Sequence, residues 1–271
     1  MLKQFQEFKT LKIEQEGRLL LITLNRPESM NAVNGEMHHE LEDIWPMLRR
    51  DDSIGAVLLT GAGRSFCAGG DVKFMANDMA GGQDRSVGET VNALMHEAKH
   101  LVFGMLEVEV PIVAAVHGYA LGLGATLALC SDVVIAAEDA VLADSHVGVA
   151  MVAGDGGTVI WPLLMPVNTA KYYLMTGDRL TGKEAERLGM VLRAVPADTV
   201  HAEARAIAER LANGPLAVRY TKMAVNKVLR ERATSLLDTS LLLEAASMHS
   251  KDFNEATTAF VEKRKPKFTG Q

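Results

Sequence analysis

Two short glycine-rich turns carry the residue types best suited to chemistry in this chain of 271 residues. The first is RSFCAGGDVK at Arg64–Lys73, and the second is VHGYALGLGA at Val116–Ala125. Each follows an apolar run and precedes a segment of helical character. Glycine lets a backbone N–H approach a ligand with no side chain in the way. If the turns face one another, they offer two N–H donors to a carbonyl oxygen that becomes negative during a reaction.

The same spacing also fits ordinary tight turns of an α/β protein, and the turns alone do not decide between the two interpretations. Cys67 lies inside the first turn and is a potential nucleophile. The sequence places no base beside it, so we interpret Cys67 as a small packing residue.

A metal site has little support in the sequence. The two cysteines, Cys67 and Cys130, are not spaced as a CxxC pair, which argues against a zinc site and a disulfide framework. His96 and His100 are four residues apart on a predicted helix, which suits a metal, but no third ligand is evident. We therefore interpret them as part of a solvated helix face and expect no metal.

The elements that must position the two turns follow an α/β pattern. The runs Ile54–Thr60 and Pro111–Val116 are continuous and apolar, as expected of buried parallel strands. An amino-terminal hairpin is predicted over 11–16 and 18–24, and a mobile loop over Met75–Gly88. Beyond Asn168 the pattern predicts helices at 169–176, 181–188, 199–212, 216–229, 234–250 and 253–263. We expect an α/β core over residues 1–200 and a helical region over 201–271 of the same functional unit.

The composition of the chain indicates which partners and which cellular location to expect for the protein. Hydrophobic residues make up 48% and charged residues 23%, a normal balance for a globular protein with a sizeable core. The formal net charge of −6 gives no electrostatic support for a nucleic-acid partner. The segment MLKQFQEFKT has no apolar signal core, and no run is long enough to span a membrane. We expect a cytoplasmic protein with no membrane partner.

Five motifs occur in order along the chain: NRPESMNAV, AGRSFCAGGDVK, AAVHGYALGLGATLALCSDVVIA, VLADSHVGVAMVAGDGG and AFVEKRKPKF. From about Leu11 to Lys267 they resemble the enoyl-CoA hydratase/isomerase (crotonase) superfamily. The resemblance implies a spiral of ββα units with a helical C-terminal region that mediates trimerisation. It also implies a homotrimer, or a hexamer of two trimers, and acyl-coenzyme A thioester substrates. Coenzyme A would then be part of the substrate, with no separate cofactor.

The resemblance also implies roles for individual residues. The two oxyanion donors would be the N–H groups of Gly70 and Leu123, although the family commonly has glycine at the second position. Phe260 and Lys263 match positions that in some members reach a neighbouring subunit's nucleotide. The coenzyme A contacts within the chain would be Glu28, Met30, Ala68, Gly69, Asp71, Val72 and Lys73.

The chain departs from the family pattern at the acid–base residues. Typical hydratases carry two glutamates that hold water and move its proton. Their positions are occupied here by Thr126 and His146. His146 is able to act as a general base near neutral pH. Asp155, in GDGG, is a partner for His146 or a helix N-cap, and Asp144 is a candidate for orienting the ring. Thr126 is a poor base, and we expect a supporting role for it.

Three functions remain open at this stage. The first is a hydratase-type lyase of acyl-CoA thioesters, working through an enolate stabilised by the oxyanion donors. The second is a hydrolase of carbon–carbon bonds in β-diketones, a retro-Claisen reaction for which a histidine and an aspartate resemble the arrangement in some family members. The third is a pseudoenzyme that binds acyl-CoA without chemistry. The two glycine turns and the titratable replacements argue against the third.

Overall fold

Nine strands form two sheets in the computed structural model, which describes residues 7–49, 51–74 and 86–271. The larger sheet has six strands in the order β1-β2-β3-β4-β6-β9, and the smaller has three in the order β5-β7-β8. Only the hairpin pair β1 and β2 is antiparallel in the larger sheet, so the predicted hairpin and parallel strands are confirmed. The strands are β1 Leu11–Glu16, β2 Leu19–Leu24, β3 Ala56–Gly61, β4 Ile112–Val116, β5 Tyr119–Leu121, β6 Val133–Ala137, β7 Val141–Ala143, β8 Leu180–Thr181 and β9 Arg193–Val195.

From β4 to β7, successive strands alternate between the two sheets. The chain passes from β4 in the larger sheet to β5 in the smaller one, then through a helix to β6 and β7, which divide in the same way. Each of these two pairs of strands, with the helical segment that follows it, therefore makes one turn of a spiral. This arrangement confirms the α/β class predicted from the sequence.

Nine helices have their full bounds within the described residues. They are α1 Gly35–Leu48, α2 Val87–Glu107, α3 Leu123–Leu129, α4 Gly157–Leu164, α5 Val167–Thr176, α6 Gly182–Leu188, α7 Val200–Ala212, α8 Ala217–Met248 and α9 Lys251–Val261. Helix α7 packs on β3, β4 and β6, whereas α8 packs along α2. The division of the chain near residue 200 stays a prediction. None of the helices in the described part of the chain is both long enough and apolar enough to span a membrane.

Two expectations about helices need correction or restriction. The helices predicted over 216–229 and 234–250 are one helix, α8, because the intervening Arg230–Ala233 consists of good helix formers without glycine or proline. Of the loop predicted over Met75–Gly88, residues 75–85 lie outside the described residues. Val87 and Gly88 already belong to α2, which Ser86 caps by accepting a hydrogen bond from the Glu89 N–H.

Candidate active site

The structure brings the two glycine turns into direct contact. Cys67 N–H donates to the Tyr119 carbonyl over 2.8 Å, and Leu121 N–H donates to the Cys67 carbonyl over 3.0 Å. The approach is close because the glycines lack side chains. A Cβ at Gly69 would lie 2.7 Å from the Leu121 oxygen, and one at Gly124 would lie 2.5 Å from the Cys67 oxygen. The turns therefore form a single unit.

This contact predicts that Gly124→Ala destabilises the protein. The added methyl group would meet the Cys67 carbonyl and push the first turn away from α3. Overpacking of this kind costs about 1–3 kcal/mol of the free energy of unfolding. Urea-induced unfolding of wild type and variant measures the loss. Gly148→Ala is the matched control, because nothing lies within 4 Å of its added methyl group. Equal stability of the two variants would contradict the proposed contact.

The first turn presents an unpaired N–H at Gly70. The Val33 N–H donates to the Gly69 carbonyl over 2.8 Å, and the Asp71 N–H donates to the Val33 carbonyl over 2.9 Å. Because backbone groups of an extended strand alternate in direction, the Gly70 N–H points away from Val33. It has no acceptor among the described residues, and Gly70 lines a cavity beside the turns.

The second turn presents an unpaired N–H at Leu123. This residue begins α3, so its N–H has no partner within the helix, and it has no other acceptor in the described part of the chain. The unusual backbone angle falls on the preceding Gly122, with φ of +49°, and Leu123 has no positive φ. The leucine is therefore compatible with the position at which the family commonly has glycine. Its side chain is buried and lines the same cavity as Gly70.

His146 lies between two aspartates. Its Nδ1–H donates to Asp144 Oδ1 over 2.7 Å, and its Nε2 lies 3.3 Å from Asp155 Oδ2. Asp144 directly follows β7, and His146 begins a short 3-10 helix. The Asp144 contact fixes the ring orientation and directs Nε2 towards Asp155. His146 and Asp155 both line the cavity, and Asp144 is fully buried behind them.

Asp155 is not a helix N-cap, the alternative that the sequence left open. Gly156 caps α4, and no side chain accepts a hydrogen bond there. The Asp155 carboxylate instead accepts a hydrogen bond from Thr126 Oγ1 at 3.3 Å. Thr126 is buried and does not line the cavity, so it contacts Asp155 from the side away from the cavity.

Burial and charge together determine the protonation of this cluster. Burial is the largest influence on His146 and lowers its pKa, but the charges of Asp155 and Asp144 outweigh it and raise that pKa well above its usual value. For Asp155, burial raises the pKa, whereas the His146 charge and the hydrogen bonds from His146 and Thr126 lower it below its usual value. The favoured state at neutral pH is an imidazolium beside an ionised Asp155.

Sequence reasoning missed Glu244, a fourth ionisable residue at the site. It lies on α8, lines the cavity and is only 2% exposed. Burial first, and then the charge of Asp155, raise its pKa to about 8, so it is mainly protonated at neutral pH. One carboxyl oxygen, Oε2, has no hydrogen-bond partner among the described residues. A signal did exist, because Glu244 lies three and seven residues after the buried Leu241 and Leu237, on the apolar stripe of the helix.

The glycines of GDGG provide the space that these side chains occupy. A Cβ at Gly154 would lie 2.3 Å from Glu244 Oε2, and a Cβ at Gly157 would lie 2.3 Å from Asp144 Oδ2. A Cβ at Gly156 would meet the methyl group of Thr126 at 2.6 Å. Each glycine therefore makes room for a different polar residue of the cluster.

The cavity has a volume of about 360 Å³ and is mainly apolar apart from this cluster. Leu123, Val149 and Met151 contribute to its apolar lining. The complete lining is Val33, Asn34, Gly35, His38, Ala68, Gly70, Val72, Phe74, Thr90, Ala93, Leu94, Glu97, Ala98, Gly122, Leu123, Ser145, His146, Val149, Met151, Asp155, Glu244, Met248 and Phe253.

The residues expected to hold coenzyme A are placed in two groups. Ala68 and Val72 line the cavity, with Gly69 buried between the turns. Asp71 is committed to the protein itself, since its carboxylate lies 3.2 Å from both terminal nitrogens of Arg26. Met30, with φ of +54°, accepts a hydrogen bond from the Ala68 N–H through its carbonyl.

The other expected contacts lie on the surface outside the cavity. Glu28 and Lys73 are exposed, and so are Phe260 and Lys263 at the end of α9.

Cys67 is buried, its thiol donates to the Asn31 carbonyl over 3.1 Å, and burial raises its pKa to about 12. Such a thiol stays protonated, as expected of a packing residue.

The chain matches a known family over nearly its whole length. The model of the enoyl-CoA hydratase/isomerase family covers residues 14–271. A probable enoyl-CoA hydratase of Mycobacterium tuberculosis is 35% identical over 268 residues, covering 97% of this chain and 98% of that protein. A 1,2-epoxyphenylacetyl-CoA isomerase of Escherichia coli is 36% identical over 263 residues, covering 94% of this chain and 97% of its own length.

Solved structures confirm the predicted fold. A crystal structure of an enoyl-CoA hydratase/isomerase from Mycobacterium paratuberculosis has a TM-score of 0.86 and 36% sequence identity. The similarity covers 93% of this chain and 99% of that one. A carnitinyl-CoA dehydratase from Mycobacterium avium has a TM-score of 0.81 at 30% identity, covering 97% and 99% of the two chains.

Proposed function

Because the chain belongs to the enoyl-CoA hydratase/isomerase family, we propose that it adds water to, or removes water from, acyl-CoA thioesters through an enolate. The observation that carries this proposal is the position of His146 and Asp155 in the same cavity as the unpaired N–H groups of Gly70 and Leu123. Acid–base groups and oxyanion donors are the two components that such a reaction requires.

In this proposal Gly70 and Leu123 bind the thioester oxygen. Water addition at the β-carbon moves an electron pair through the double bond to that oxygen, forming the enolate. Two N–H donors stabilise negative charge where it develops, which favours the transition state over the ground state. Each such donor is worth about 10²–10³ in kcat in enzymes of acyl transfer.

The pair of His146 and Asp155 replaces the two glutamates. Ionised Asp155 takes a proton from the attacking water, whose oxygen bonds to the β-carbon. The His146 imidazolium then gives its Nε2 proton to the α-carbon as the enolate collapses. A proton transfer from Asp155 to His146 across 3.3 Å restores the starting state, so the pair loses and gains one proton in each cycle. Asp144 acts as the positioning residue for the ring.

Glu244 adds a neutral acid to the same cavity. Its raised pKa keeps the proton on the carboxyl group at the pH where Asp155 is ionised. A pair of carboxyl groups with pKa values pushed apart is able to divide into one base and one acid. We assign to Glu244 the role of a reserve proton source next to Asp155.

Substrate binding and assembly complete the proposal. The apolar wall around Met151 and Phe253 receives the acyl group, and the backbone near Ala68 and Val72 receives the pantetheine arm. No separate cofactor is required by this chemistry. Phe260 and Lys263 are assigned to a neighbouring subunit's nucleotide in a homotrimer or hexamer.

A second candidate function rests on the contact between Asp144 and His146. In its neutral form, which is reached only as the pH rises above the raised pKa of His146, a histidine held through Nδ1 by a buried carboxylate suits the activation of water as a nucleophile. The hydrolase of β-diketones needs this chemistry. Water attacks a ketone carbon, the adjacent carbon–carbon bond breaks, and its electron pair becomes an enolate that takes up a proton.

The decisive experiment compares substrates side by side. Crotonyl-CoA, a 3-oxoacyl-CoA and a cyclic β-diketone are each incubated with the protein. Hydration appears as loss of enone absorbance, and carbon–carbon hydrolysis appears as a new carboxylate by mass spectrometry. Turnover of crotonyl-CoA alone supports the hydratase. Carbon–carbon hydrolysis of the diketone or of the 3-oxoacyl-CoA, without turnover of crotonyl-CoA, supports the hydrolase. Tight binding of coenzyme A without turnover of any substrate would refute both and favour a binding protein.

A further inference from the structure

Two neighbouring helices bring together a carboxylate and two imidazoles outside the catalytic cluster. Glu42 lies on α1, and His96 and His100 lie one helical turn apart on the same face of α2. One potential ligand atom from each of the three residues lies within 4.8 Å of the other two. The sequence revealed no third candidate ligand for the two histidines because Glu42 comes from a different helix.

We propose that Glu42, His96 and His100 form a binding site for one divalent transition-metal ion, with Zn²⁺ as the experimental probe. Two imidazole nitrogens and one carboxylate oxygen are a ligand set that suits Zn²⁺ and its neighbours in the first transition row. The same set disfavours Mg²⁺ and Ca²⁺, which prefer oxygen ligands. Both histidines are exposed, which leaves further coordination positions for water.

The histidine rings need little movement to close on an ion. Their centroids are 4.4 Å apart and their planes are inclined at 89°. Ligand atoms about 2.1 Å from a tetrahedral Zn²⁺ are roughly 3.4 Å from one another. The potential ligand atoms now lie within 4.8 Å of one another. Rotations about the side-chain bonds of exposed residues are able to shorten these distances to the value that Zn²⁺ requires.

His38 supplies a contact that orients the carboxylate. Its Nδ1 lies 2.7 Å from Glu42 Oε1, one turn along the same helix. Such hydrogen bonds from outside the ligand set fix the orientation of metal-binding groups. The second oxygen of Glu42 remains for the metal. His38 also lines the active-site cavity, so the proposed metal site lies beside that cavity and shares one contact with it.

Metal binding would link α1 to α2 and stabilise the folded protein. Calorimetric titration of the tag-free protein, first treated with a chelator, is expected to give one Zn²⁺ per chain with affinity in the micromolar range. Cys67 and Cys130 do not compete, because both thiols are buried and protonated.

Single replacements test the ligand set. Glu42→Gln, His96→Gln and His100→Gln are each expected to weaken Zn²⁺ binding about tenfold or more and to remove the rise in melting temperature caused by Zn²⁺. His39→Gln is the control, because His39 is exposed on α1 but does not belong to the cluster. Circular dichroism of each variant checks that it is folded. Unchanged affinity in the folded Glu42 and His100 variants, or no saturable binding by wild type, would overturn the proposal.

Discussion

Replacing His146 with glutamine is expected to reduce kcat by about 10²–10⁴-fold, the usual contribution of a general acid or base. The proposed cycle passes every proton through His146 or Asp155, and glutamine does not titrate. Glutamine retains some of the volume and polarity, so it preserves the shape of the cavity better than alanine does. The dissociation constant for coenzyme A should change little, because the ring lies at the cluster and not at the predicted nucleotide contacts.

The measurement is steady-state kinetics on whichever substrate wild type turns over, together with calorimetry of coenzyme A binding. A loss confined to kcat supports proton transfer by His146. Asp155→Asn is expected to produce a similar loss, and the double variant should lose little more, since the two residues act as one unit. His39→Gln, on the surface of α1, serves as the control. Full activity in a folded His146→Gln protein would refute the assignment.

The predictable part of the site is the part made by local sequence. The glycine turns around Gly70 and Leu123 are recognisable because close backbone approach requires small residues at fixed spacing. His146 and Asp155 are recognisable because they stand at positions that follow from the motifs. The structure adds the contact of 3.3 Å between these two side chains, which no local pattern contains.

Glu244 shows why the rest of the site was less accessible to prediction. It reaches the cavity only because α8 packs along α2 and α4, a tertiary arrangement formed by residues far apart in the chain. On the sequence it is one acidic residue within LLLEAAS, and most glutamates on helices are exposed. The metal-binding cluster has the same origin, since Glu42 approaches His96 and His100 only when α1 packs on α2.

The fold was more predictable than the site because hydrophobic patterning acts over short segments. The continuous run in β3 is buried at every position, as its composition indicates. Errors arose where a helix lacked a clear boundary. The division expected within α8 has no stop signal at Arg230–Ala233, and helices continue in the absence of such a signal.

Glu244 should also make the protein lose stability as the pH rises, and Glu244→Gln should remove that loss. Burial raises the pKa of Glu244 from 4.5 to about 8 in the folded protein. Between these values the unfolded chain releases the proton while the folded chain keeps it, so each pH unit favours unfolding by about 1.4 kcal/mol. The loss of unfolding free energy is absent below pH 4.5, reaches roughly 5 kcal/mol near pH 8, and stays constant at higher pH.

Urea-induced unfolding of wild type and Glu244→Gln from pH 5 to pH 9 measures this difference. Glutamine has nearly the same shape as glutamate but does not ionise. The free energy of unfolding of the variant, relative to that of wild type, should therefore increase as the pH rises. His146 also has a raised pKa and loses its stabilising contribution at alkaline pH, but it is present in both proteins and largely cancels in the difference. Glu231→Gln, an exposed replacement on the same helix, should follow wild type. A constant difference between Glu244→Gln and wild type across this range would mean that Glu244 is ionised in the folded protein. That result would remove the neutral acid from the proposed mechanism and leave His146 as the sole proton donor.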